Sequence, residues 1–242
     1  MHRNYLLIIF ISLVAGKLTA QQQSNSFPPS GANSFWIGAM AGPSLLLEKA
    51  PDSLAPEIQD YFNKLRSGWN YGFETEYFFN KYIGVGARYC RFNTKQQVDS
   101  IIVQFFSHIY YVDLSSNMSI HTVSAMVYGK LPLLKNKLSI TAGAGPAWLF
   151  YRNIGKAVGD SAMFKGSSPG LSTSLRVSYE VIPHLSIAFQ GSYIKAILKK
   201  FTQDDGTTQT VVELDKENYQ NISRMDYSFG LFYTLSGKSK SN

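Results

Sequence analysis

The chain has 242 residues, only 16% of them charged and 14% aromatic, with 15 Tyr and 16 Phe. That length suits one domain, and the composition argues against an ordinary soluble α/β enzyme; it suits a surface facing lipid, with aromatic rings at the two interfaces, and on composition alone a soluble all-β protein is a fair competitor. The formal charge is +7, but Lys and Arg are scattered, with no basic helix or Arg-rich run to track phosphates, so anionic lipid headgroups are the expected partner and nucleic acid is not.

Arg3 precedes an apolar stretch from Tyr5 to Ala15, and Lys17-Leu18-Thr19-Ala20 leads into Gln21-Gln22-Gln23. The run is shorter than the about 20 residues that cross a bilayer as a helix, so residues 1–20 are expected to be a secretory signal cleaved near Ala20. Residues 21–33, rich in Gln, Ser and Pro, form a flexible lead-in. Residues 34–235 form a single folded domain, and 236–242 a polar tail. Cys90 is the one cysteine, so no internal disulfide staples the fold.

From residue 34 onward, side chains alternate in segments of about 10 residues, the length of a membrane-crossing strand. The first segment, 34–45, points Phe35, Ile37, Ala39 and Ala41 outward. Connection 46–67 mixes signs (Glu48, Lys49, Asp52, Glu57, Asp60, Lys64, Arg66), and Leu54 to Leu65 is suited to a short helix. In the second segment Trp69, Tyr71, Phe73, Thr75 and Tyr77 share one face, while Asn70, Gly72, Glu74 and Glu76 share the other. A helix would mix these two sets, so the period of two is diagnostic. Beyond a short turn at Asn80-Lys81, Ile83, Val85, Ala87 and Tyr89 oppose Gly84, Gly86, Arg88 and Cys90.

Connection 93–118 holds an apolar stretch, 98–114, expected to be a β-extension above the membrane or a short helix on the rim; a spanning strand there would change the strand count. Val123, Ala125, Val127 and Leu131 then oppose Thr122, Ser124, Tyr128 and Lys130. After a short turn at 132–136, Ile140, Ala142 and Ala144 oppose Thr141, Gly143 and Gly145. Connection 153–169 follows. Leu171, Leu175, Val177 and Tyr179 oppose Ser172, Ser174, Arg176, Ser178 and Glu180. Past Ile182-Pro183-His184, Leu185, Ile187, Phe189 and Tyr193 oppose Ser186, Gln190 and Ser192. Connection 197–222 carries Lys199, Lys200, Asp204, Asp205 and Val211-Val212, suited to a hairpin above the membrane. The last segment, 223–235, sets Met225, Tyr227, Phe229, Leu231, Tyr233 and Leu235 against Asp226, Ser228 and Gly230. Short and long connections alternate strictly. The expected fold is therefore all-β: an eight-stranded antiparallel up-and-down transmembrane β-barrel, with brief periplasmic turns and extended outer loops.

The run Gly68-Trp69-Asn70-Tyr71-Gly72-Phe73-Glu74-Thr75-Glu76-Tyr77-Phe78-Phe79-Asn80-Lys81-Tyr82-Ile83-Gly84-Val85-Gly86 resembles the second hairpin of the outer-membrane β-barrel domain family of Gram-negative bacteria, which includes PorT-like proteins. Lys130-Leu131-Pro132-Leu133 and Ala142-Gly143-Ala144-Gly145-Pro146 echo the same pattern. The resemblance covers roughly residues 33–235 and includes no catalytic signature. It implies an outer-membrane location and an eight-stranded barrel, and its PorT-like branch implies an accessory role in a secretion or envelope assembly system.

The alternation sends Glu74, Glu76, Arg88, Lys130, Arg176, Glu180 and Asp226 into the lumen. An eight-stranded lumen is just wide enough for side chains to fill, and lone charges there are costly. These residues are expected to pair in a closed polar network that makes the barrel a plug, with a proton or ion path as the alternative. A hydrolase is the remaining alternative: outer-membrane lipid A deacylases use a His-x-Ser arrangement, and His184-Leu185-Ser186 has that spacing. That tripeptide falls at a periplasmic turn, however, and Ile187 stands where that family has Asn. His108 and His121 offer no better pairing. Gly84-Val85-Gly86 and Gly143-Ala144-Gly145 precede no helix, so they are read as room for large lumen neighbours rather than a nucleotide site. No Cys/His cluster or loop has metal-ligand spacing, so no cofactor or metal is expected. Binding is expected on the outer loops, where 46–67 and 197–222 are suited to a protein partner. Asp52-Ser53-Leu54, Asp99-Ser100-Ile101 and Asp160-Ser161-Ala162 each match a short bacterial O-glycosylation pattern. The functional expectation is a non-enzymatic envelope protein with a structural or loop-mediated binding role.

Overall fold

The computed structural model describes residues 33–48, 56–105, 108–157 and 160–236. The expected signal, nearly all of the lead-in, Lys49, Asp52-Ser53 and the tail after Ser236 lie outside the described residues.

The order is β1 (Ser34–Leu46), α1 (Pro56–Leu65), β2 (Ser67–Phe78), β3 (Ile83–Phe105), β4 (His108–Leu133), β5 (Leu138–Ala157), β6 (Asp160–Ile182), β7 (Leu185–Leu198), β8 (Lys200–Asp204), β9 (Gln209–Glu213), β10 (Gln220–Asn221) and β11 (Arg224–Ser236). Strands β1 to β7 pair antiparallel, each with its neighbour in the chain, and β11 pairs with both β7 and β1. The ladder from Ser34↔Ser236 to Leu46↔Arg224 closes an eight-stranded ring. Closure removes the open sheet edges that lipid cannot hydrogen-bond.

The period-two pattern sets which way each side chain faces. In β2 the polar Asn70, Glu74 and Glu76 are buried, whereas Trp69 is 66% and Phe73 56% exposed. Val127, Leu175 and Phe229 are likewise exposed on their own strands. A water-soluble barrel would have the opposite sidedness; a polar interior inside an apolar belt is stable only where hydrocarbon bathes the belt.

Three tight turns close one end. Asn80 Oδ1 accepts the N–H groups of Tyr82 and Ile83, both at 2.8 Å, and so shapes the β2–β3 turn. Leu134, Lys135 and Asn136 take left-handed φ values of 46°, 55° and 71° between β4 and β5. His184 (φ 70°) turns β6 into β7, and its N–H donates to Glu180 Oε1 at 2.9 Å.

At the other end the strands run on past the ring. The β3–β4 ladder continues to Phe105↔His108, with a register shift between Val98 and Ile101. Residues 98–105 and 108–114 thus take the strand-extension form of the two expected, residues 106–107 lying outside the described residues, and the strand count stands. Connections 93–118 and 153–169 are not loops in their own right: β5 and β6 also stay paired, out to Ala157↔Asp160. The departure from the expected loops has a simple cause, because an antiparallel hairpin keeps satisfying its backbone groups with every added pair, in lipid or above it. Asp99-Ser100 and Asp160-Ser161 lie on these extensions. The helix expected at Leu54 to Leu65 is α1, and the hairpin expected in 197–222 is β8–β9, which leans on β6 through Met163↔Asp204 to Lys165↔Thr202.

Candidate functional site

Six of the seven lumen residues read from the sequence are buried inside the ring: Glu74, Glu76, Arg88, Lys130, Arg176 and Asp226. They form two ion clusters, with Lys130 beside the first. Toward the turn end, Arg176 donates from Nη1 and Nη2 to the two Glu76 oxygens at 2.5 and 2.7 Å, and its Nη1 lies 3.8 Å from Glu74. Glu74 also accepts from the Tyr128 hydroxyl, and Gln190 Nε2 donates to it at 3.4 Å. Tyr128 has room to reach inward because Gly143 lies beneath it; a Cβ at Gly143 would come within 2.7 Å of the ring.

Nearer the loop end, Asp226 accepts from Ser44 Oγ at 2.5 Å and from Arg224 Nε at 3.1 Å, and stands 4.0 Å from Arg88 Nη2. Arg88 also donates to Ser192 Oγ at 2.8 Å. Arg224 donates onward from Nη2 to Thr122 Oγ1 (3.0 Å) and Cys90 Sγ (3.1 Å). Lys130 makes no direct ion pair among the described residues but feels the Glu76 charge, its Nζ 3.7 Å above the Trp36 ring and 5.0 Å from that of Phe78. Glu180, the seventh residue, is half-buried at the turn end and caps His184 rather than joining either cluster. Arg224 is the residue the sequence reading missed. It is fully buried and lies two residues before Asp226, so parity alone places it inward.

Apolar clusters flank this polar belt at both ends. Phe92, Ile120, Leu149, Ile194 and Leu198, each 0% exposed, fill the loop side. Trp36, Met40, Phe78, Met126, Tyr128 and Phe232 fill the turn side. Cys90 is 3% exposed beneath the upper plug. A membrane-impermeant maleimide is expected to leave it unmodified in the folded barrel and to label it fully after denaturation, as read by intact mass.

Above the upper plug is a cavity of about 1010 Å³, at the upper end of the size range of small-molecule sites. It lies between α1, the β8–β9 turn and the extensions of β4, β5 and β6. Asp205 holds the β8–β9 turn: its carboxylate accepts the N–H groups of Thr207 (2.9 Å) and Thr208 (2.7 Å) and the Thr208 hydroxyl (2.9 Å). These donors keep the Asp205 carboxyl well below the usual carboxylate range.

The hydrolase pair does not assemble. Ser186 is buried in the lumen, whereas His184 packs its ring 6.2 Å from that of Tyr233. His121 is bonded through Nδ1 to the Tyr89 hydroxyl at 2.7 Å. His108 begins β4. Among the described residues no cluster of three His, Cys, Asp or Glu side chains is placed to hold a metal ion.

A closed eight-stranded antiparallel ring, apolar outside and filled inside, defines the class of small membrane β-barrels. Residues 10–233 match the outer membrane protein beta-barrel domain, and the chain belongs to that family. It is thus an outer-membrane protein of the Gram-negative type. Among solved structures it is similar to a major outer membrane protein from Thermus thermophilus, with a TM-score of 0.56, 14% identity, and coverage of 84% of this chain and 100% of that one. It is also similar to the outer membrane protein OprG from Pseudomonas aeruginosa, with a TM-score of 0.52, 15% identity, and coverage of 86% and 98%. At such identities the likeness is one of fold. No curated protein matches the chain.

Proposed function

We propose that this protein is a non-enzymatic outer-membrane barrel that blocks its own lumen and binds through its outer loops. The carrying observation is the filling of the interior: paired charges at mid-height with an apolar plug on each side. A diffusion pore needs a continuous wet path, and the side chains at 0% exposure across the loop side argue against one. The separation of His184 from Ser186 supports the non-enzymatic part of the reading. Segments 46–67 and 197–222 supply α1 and the β8–β9 hairpin, and these border the cavity, so the binding face is the loop end.

Purified protein reconstituted in planar bilayers is expected to give no steady current above the lipid baseline. Stable, large single-channel steps would overturn the blocked-lumen reading.

A further inference from the structure

The loop-end cavity has an apolar depth and a charged rim. Leu46, Leu65, Met118 and Tyr151 border it and belong at the same time to the apolar cluster that seals the lumen. Phe62 and Phe164 add ring surface. Of the polar groups set into this wall, Ser116 Oγ donates to Asn153 Oδ1 at 2.6 Å. The depth itself offers a ligand hydrocarbon and ring faces from Leu46, Phe62, Leu65, Met118, Tyr151 and Phe164.

The rim carries four charged groups that are not equivalent. The Asp205 carboxylate is engaged by Thr207 and Thr208. Glu48 is engaged as well: it accepts the Asn221 N–H at 3.4 Å, and burial pushes its carboxyl up from the ordinary range. Arg66 is anchored by its Nε, which donates to the Leu46 carbonyl at 3.0 Å. Neither Arg66 nor Lys156 forms an ion pair among the described residues, although both border the cavity. Among the described residues the rim thus holds two cations that no carboxylate pairs, above an apolar floor.

We propose that this cavity binds an amphipathic anion, a medium-length apolar body lying against Phe62, Leu65, Met118 and Tyr151 with its carboxylate or equivalent acidic head at Arg66 and Lys156. The assignment rests on loop-mediated binding as the function of this barrel, and it names the ligand class. Because the floor is sealed, the cavity holds its ligand at the outer surface.

The test uses calorimetry on the full mature chain in zwitterionic-lipid nanodiscs, with empty discs subtracted. The probes are octanoate, octyltrimethylammonium (a similar chain with the opposite head) and acetate (the head alone). Octanoate is expected to give a saturable heat, with affinity about a hundredfold above that of the cation, the value of two charge-assisted contacts. Acetate is expected to give none. Lys156→Gln and Arg66→Gln should each weaken octanoate by about tenfold and spare the cation, while Phe62→Ser should weaken both chains. Native-like gel mobility checks that each variant is folded. Absence of a saturable octanoate heat, equal affinity for both heads, or rim variants that bind like the parent would overturn the proposal. The planar-bilayer result is independent: a conducting barrel that binds octanoate would refute the blocked lumen alone, and a silent barrel that does not bind would refute the ligand alone.

Discussion

Replacing Arg176 with Met is expected to destabilise the folded barrel by about 3–5 kcal/mol, the cost of breaking a buried ion pair by removing one partner. The guanidinium is 2% exposed and makes two parallel contacts to Glu76, with Glu74 beside them. Its plane also lies 4.0 Å from the Phe232 ring centroid, so the side chain contributes packing as well as charge. Without it, two carboxylates at 1% and 0% exposure face each other, with Lys130 held over Trp36 and Phe78. Met fills much of the same volume, which isolates the loss of charge from the loss of packing. Urea titration of the protein in lipid vesicles, followed by heat-modifiable gel mobility, measures the change. Adding Glu76→Gln to Arg176→Met should recover part of the loss, because it removes a stranded charge; additive losses would show that the two side chains do not act as a pair. A change below about 1 kcal/mol for Arg176→Met would mean that water reaches Glu74 and Glu76, and the lumen would then not be closed.

The wall of this barrel was legible because its physics is local. Alternation at Trp69 to Tyr77, or at Ile83 to Cys90, needs only the period of a strand and the two solvents on its faces. The inward set followed from the same parity, so Glu74, Arg88, Arg176 and Asp226 were found without knowing which strands touch. Which charges pair was not legible, because Arg176 meets Glu76 across 100 positions of sequence and through the barrel interior. Arg224 was missed although its parity matches that of Asp226, because it is the first residue of its strand, where a charge next to a polar connection is as readily solvated as buried. Glu180 had the right parity and the wrong height: it sits where the wall ends, and its carboxylate serves the His184 turn instead. The cavity was illegible for a different reason. Tyr61, Met118, Tyr151 and Gln203 come from four elements whose mutual placement depends on how far each hairpin overshoots the ring. Nothing in the period of a single strand encodes that length.

The second large effect is expected at Asp226, and it should exceed that of its own partner. Asp226 is the one carboxylate in the upper cluster, and it serves two guanidiniums, Arg224 at 3.1 Å and Arg88 at 4.0 Å, as well as Ser44. Asp226→Leu takes the nearest carboxylate from both cations, buried at 0% and 5% exposure, and leaves them each other's repulsion, with the more distant Glu74 acting on Arg88 alone. The loss should reach at least the about 3–5 kcal/mol of a broken buried pair. Arg224→Met removes one cation and leaves Asp226 with Arg88 and Ser44, so its loss should fall clearly short of that value. The asymmetry is the informative quantity, because loss of packing alone would rank the larger Arg224 above the smaller Asp226. The same urea titration ranks the two, and Asp226→Asn separates charge from shape. Asn keeps an acceptor for Ser44 and Arg224 but no counter-charge, so it should destabilise nearly as much as Leu if the lumen is dry. If Asn is tolerated, then water or an ion from solution is neutralising Arg88 and Arg224, and the apolar plug formed by Phe92, Ile120 and Leu149 does not seal the barrel.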